Sequence, residues 1–169
     1  MVLGLNTLAG RSRQLEEGLL RAFDPLPAPP PEDVATHECE ECNVLRSDLG
    51  SKRWDTLADA VIEKHRADLP LLSPKAFAYF IPAFIRYALH HFTHSSLAFH
   101  YLITNLAPAD DPQPDWSRER LRYLSREQMN LIGAFLQLVI EQDEFRLAFG
   151  DLESGRRRLE AMWSERWAS

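Results

Sequence analysis

A chain of 169 residues, 45% hydrophobic and 26% charged, is long enough to bury one sizeable core and gives no reason to divide it. Its net charge of −6 leaves no basic face able to neutralise several phosphates, so no nucleic-acid partner is expected. Two cysteines are too few for a disulfide framework, and the longest apolar run, residues 76–85, is far shorter than the roughly 20 residues a bilayer crossing needs.

The N-terminal stretch lacks a basic region ahead of its apolar residues, so the expectation is a cytoplasmic protein with no membrane segment. Leu8, Leu15, Leu19, Ala22 and Phe23 recur at helical spacing, predicting an amphipathic helix that ends before Asp24-Pro25. A proline-rich loop over residues 24–36 follows. Its prolines fix φ and remove donors, which suits either an aromatic-groove ligand or a stiff strap across the surface.

Thr36 is placed to cap a second helix, with Gly50 as its left-handed stop and Cys39, Cys42, Leu45 and Leu49 on one face. A third helix is expected over about residues 56–66, with Leu57, Val61 and Ile62 inward. Residues 71–105 then hold no acid and only two formal charges, Lys75 and Arg86. So little charge cannot make a solvated surface, and this stretch should form the middle of the core.

Within it, Ser73 caps a helix, Pro74 sits at the first position and Leu72 can staple onto Phe77. Phe77, Phe80, Ile81, Phe84, Ala88 and Phe92 follow the helical period. Pro82 cannot donate to Ala78 and is expected to kink the helix or divide it. Residues 97–106 give a second apolar helix, antiparallel to the first, so that residues 74–106 make a central hairpin. A second loop spans residues 107–116, and residues 116–124 read equally as a short helix or an extended arm.

Ser125 and Gln128 form a capping box, with Leu124 stapled onto Met129, opening a helix to about residue 142. Asp151 opens a final helix with Leu152, Leu159, Met162, Trp163 and Trp167 inward. No segment alternates with period two, so the chain reads as one all-α domain of six to eight helices over residues 1–169.

Three constellations can carry chemistry. His37, Cys39 and Cys42 offer soft ligands to zinc or iron, with a distant fourth such as His65; equally, the thiols are a redox pair opposed by Glu38, Glu40 and Glu41, or buried small apolar groups. Tyr79, Arg86, Tyr87, His90 and His94 line the side of the central helix opposite the phenylalanines and can form a polar pocket. Histidines 90, 91 and 94 are also spaced to share a cation, although no carboxylate lies near them in sequence. Arg156, Arg157 and Arg158, with Trp163 and Arg166, form a basic run that suits an acidic partner or a solvated face.

The segments LSPKAFAYFIPA and LSREQMNLIGAFL, preceded by CEEC and a tryptophan, resemble a bacterial family of about this length without an assigned function. The likeness covers roughly residues 39–139. It implies a helical, bacterial, cytosolic protein and carries over no catalytic residue. Walker, Rossmann, G-x-S-x-G and H-E-x-x-H motifs are lacking. The expectation is therefore a protein-binding or accessory domain, of the toxin-neutralising kind for example, without catalysis or cofactor. It would use an acidic face or the Tyr79/Arg86/His90 side, and the alternative is a zinc or iron protein.

Overall fold

Ser73 and Pro74 set the start of the central element. The Ser73 hydroxyl accepts the Ala76 amide at 3.1 Å, and Pro74 occupies the first helical turn, where its missing N–H is no loss. The computed structural model describes residues 7–24, 26–91, 97–106 and 115–142, together with Arg157 and Ala161. Among these it has seven α-helices: α1 Leu8–Phe23, α2 Glu40–Leu49, α3 Asp59–Lys64, α4 Pro74–His90, α5 Leu97–Leu106, α6 Asp115–Leu121 and α7 Arg126–Ile140. Short 3₁₀ turns occupy Pro31–Asp33, Trp54–Thr56 and Leu69–Leu71, and no strand forms among the described residues. No described helix is long and apolar enough to cross a membrane.

From residue 76 to residue 89 of α4, only Arg86 is not buried. The helix is enclosed rather than amphipathic, and one hydrophobic cluster joins it to residues of α1, α2, α3, α5, α6 and α7. Pro82 does not divide it, because α4 runs unbroken through that position. One lost backbone hydrogen bond, about 1 kcal/mol, is small beside the packing that clamps the helix on every side.

Arg120 of α6 shows how α5 lies. Its guanidinium donates to Asn105 Oδ1 near the end of α5 at 3.2 Å, and to the carbonyls of Leu69 and Pro70, just ahead of α4, at 3.1 and 3.0 Å. The end of α5 therefore meets the beginning of α4, which is the expected antiparallel arrangement. Residues 116–121 adopt the helical of their two readings, and the helix begins at Asp115, so residues 115 and 116 are helix and not part of the second loop.

Helices α1 and α7 also pair antiparallel. Gln128, at the start of α7, donates to the Ala22 carbonyl near the end of α1 at 2.9 Å, while Glu141 beyond α7 bonds Arg11 in the first turn of α1. At Gly18 an added Cβ would lie 2.7 Å from Leu131, so glycine permits this close crossing. The Ser125–Gln128 capping box is present, with both reciprocal bonds.

The proline-rich segment is a strap. Ser51 N–H donates to the Pro29 carbonyl at 2.8 Å, the Ser73 hydroxyl and N–H bond Asp33 and Val34 carbonyls, and Val34 is fully buried. Two local expectations change here. Helix α2 is capped by Cys39 rather than Thr36, because Arg46 holds the preceding residues in a loop through the carbonyls of Ala35 and His37. Gly50 is not left-handed, with φ −54°; Ser51 takes that conformation at φ 58°. Gly50 is needed for space, since a Cβ would sit 2.7 Å from the Pro31 Cα of the strap. Phe92, residues 107–114 of the second loop, and the inward residues expected of the final helix lie outside the described residues.

Candidate functional site

Between the start of α2 and the end of α3 lies an open hollow of about 510 Å³, lined by Cys39, Glu40, Glu41, Val44, Lys64, His65 and Asp68. Its size is within the roughly 300–1,000 Å³ of ordinary ligand sites. One wall is the N-terminal turn of α2. Cys39 is the N-cap residue, half-buried, and its Sγ accepts the Cys42 N–H at 3.4 Å. Cys42 is fully buried behind it. Burial first, then the neighbouring Cys39 thiol, pushes the Cys42 thiol above its ordinary pKa; the His37 backbone and the Arg46 cation act in the opposite sense.

The opposite wall is set by His65, only 2% exposed. Its Nδ1 lies 2.9 Å from Asp68 and its Nε2 2.8 Å from Asp48 of α2, so it locks the end of α3 to α2. Lys64 donates to the same Asp48 oxygen at 2.6 Å. These bonds, Lys64 first and then His65, hold the Asp48 carboxyl below the usual carboxylate range. At the rim, Glu40 and Glu41 are exposed, and neither has an ion-pair partner among the described residues. Val44, 37% exposed, adds an apolar patch between acidic groups.

The sequence-derived trio His37, Cys39 and Cys42 is gathered only in part. The thiols are together, whereas the His37 side chain is exposed and its backbone makes the contacts, including a carbonyl that accepts Arg46 at 2.7 Å. His65, the suggested distant ligand, does line the hollow with Cys39, but both its ring nitrogens face carboxylates. Among the described residues no group of three His, Cys, Asp and Glu side chains is arranged to hold a metal ion.

The polar group on α4 separates into two directions. Arg86 donates to Glu16 of α1 at 3.0 Å and to the Asp55 carbonyl at 2.6 Å, and His90 Nε2 is 3.1 Å from both oxygens of Glu16. Tyr87 turns the other way, donating to Glu63 of α3, and His91 stacks on it at 4.3 Å while meeting Asp59 at 2.9 Å. Burial, helped by Glu63, pushes the Tyr87 hydroxyl up to about 12. Tyr79 is buried edge-on against Phe80, and burial raises its pKa too. A smaller hollow of about 370 Å³ beside Glu16 and His90 is lined by α1 and the end of α4. His94 lies outside the described residues, as do Arg156, Arg158, Trp163 and Arg166 of the basic run; Arg157 is helical and exposed.

Sequence reasoning missed Asp48, Lys64 and Asp68 as neighbours of the cysteine cluster, and the carboxylates that serve the α4 histidines. All come from other elements. The one available signal was His65, a lone histidine at the end of a charged helix.

The chain belongs to a family of unknown function (DUF6714), which matches residues 32–167. No curated protein and no solved structure matches it.

Proposed function

We propose that the chain is a protein-binding domain that receives a lysine- or arginine-bearing segment of a partner in the hollow between α2 and α3. The observation that carries this reading is the rim: among the described residues Glu40 and Glu41 stand exposed and unpaired beside Asp68, and Lys64 is the one lysine or arginine of the lining, already bonded to Asp48. A cationic side chain entering there meets opposite charge, and Val44 offers its aliphatic stem an apolar contact. The Arg86/His90 side of α4 is a weaker candidate, since those groups already hold α1 in place.

Fluorescence anisotropy with labelled Lys/Arg-rich and Glu/Asp-rich dodecapeptides tests the reading. Basic peptides should bind, weakening steeply with salt, and acidic ones should not. The double variant Glu40→Lys/Glu41→Lys should lose about tenfold in affinity, about 1.4 kcal/mol. Equal binding of both peptide classes, or an unchanged affinity in the double variant, contradicts the proposal.

A further inference from the structure

The cysteine pair is asymmetric in a way that packing alone does not require. Cys39 is half-buried and lines the hollow, while Cys42, whose N–H donates to the Cys39 sulfur, is fully buried. We infer that Cys39 and Cys42 are an exchanging dithiol, which reduces a disulfide presented in the hollow and is selective for cationic disulfides. The selectivity rests on the acidic rim invoked for partner docking, whereas the exchange chemistry does not.

The steps balance as ordinary thiol–disulfide exchange. The Cys39 thiolate attacks one sulfur of the incoming disulfide, a Cys39–S–S–R bond forms, and the first thiolate R–S⁻ leaves. Cys42 then attacks the Cys39 sulfur from within the fold; its proton passes to the second departing thiolate. The protein dithiol loses two electrons and two protons in all, and the disulfide becomes two thiols. Four features serve this order of events. Cys39 is the sulfur an incoming disulfide can reach, and the Cys42 amide points at it. Cys42 is shielded from solvent and already in contact with Cys39, so attack on the mixed disulfide is intramolecular. Arg46, bonded to the loop carbonyls, supplies a fixed positive charge behind the pair. Burial, which disfavours the charged form, holds Cys42 as the thiol until its turn.

The test uses the full chain, reduced, with three probes: cystamine (cationic), 2-hydroxyethyl disulfide (neutral) and glutathione disulfide (anionic), followed by intact mass. The wild type should lose two hydrogens without forming dimers. Cys42→Ala should stop at a single mixed disulfide on Cys39, and Cys39→Ala should resist modification while folded. Cystamine should outpace glutathione disulfide by about tenfold at low salt, and Glu40→Gln/Glu41→Gln should shrink that ratio.

A chain left unoxidised by all three probes, or one modified equally on either cysteine, overturns the inference. A cystamine preference unaffected by the glutamine pair overturns the assigned selectivity. Because oxidation is read without any peptide, normal exchange in a chain that ignores basic peptides supports the dithiol while removing the docking reading.

Discussion

Replacing Arg120 by methionine keeps the aliphatic stem and removes the charged fork, which isolates what that fork contributes. In the wild type the guanidinium is buried, 5% exposed, donates to Asn105, Leu69 and Pro70, and sits 4.5 Å over the Phe77 ring. Three bonds from a charged donor at about 1.5 kcal/mol each, with about 1 kcal/mol for the ring contact, favour the native residue by roughly 5–6 kcal/mol. Desolvation opposes this, and it is strong enough to pull the Arg120 pKa down to about 10. Setting that opposing cost at roughly 2–3 kcal/mol leaves a net loss of about 3 kcal/mol in the variant. Urea unfolding followed by far-UV circular dichroism measures it, and the corresponding drop in Tm is roughly 6–12 °C. Arg120→Lys should fall between, since one ammonium cannot span the three acceptors. A methionine variant as stable as the wild type would mean that desolvation cancels these contacts and that the guanidinium does not stabilise the fold.

At the α7 cap, Ser125→Ala should cost about 1 kcal/mol and Gln128→Ala more, since Gln128 also holds Ala22 of α1; chemical denaturation ranks them. Phe80→Ala, at a fully buried position in the middle of α4, should cost about 3–5 kcal/mol, read from the same curves. Asp48 has a folded pKa below its unfolded value, so its stabilisation is present above about pH 4 and lost as pH falls through the lower folded value. Asp48→Asn should therefore flatten the acid limb of stability against pH, seen as a smaller fall in urea midpoint below pH 4.

The features legible in the sequence were those fixed within four residues. Ser73-Pro74 and the Ser125–Gln128 box each complete their hydrogen bonds locally, so spacing alone located both helix starts. The central core stretch was legible from its lack of charge. The α2 cap was not, because Arg46 reaches back across the chain to hold residues 35–38 out of the helix. Gly50 misled for a similar reason: its role is contact with the strap at Pro31, far upstream, which no local pattern records. At the site, the cysteine pair was visible as CxxC, but its burial asymmetry and its facing wall depend on α3 packing across α2 through His65 and Asp48. The polar side of α4 looked like one pocket because its partners, Glu16 on α1 and Asp59 and Glu63 on α3, lie far away in sequence.

Mapping a basic peptide onto the folded chain by amide chemical-shift perturbation tests the binding claim most directly. Salt-sensitive shifts should concentrate in residues 39–44 and 64–68 and be absent in Glu40→Lys/Glu41→Lys. Shifts centred elsewhere, on α1 and the end of α4 for instance, would contradict it.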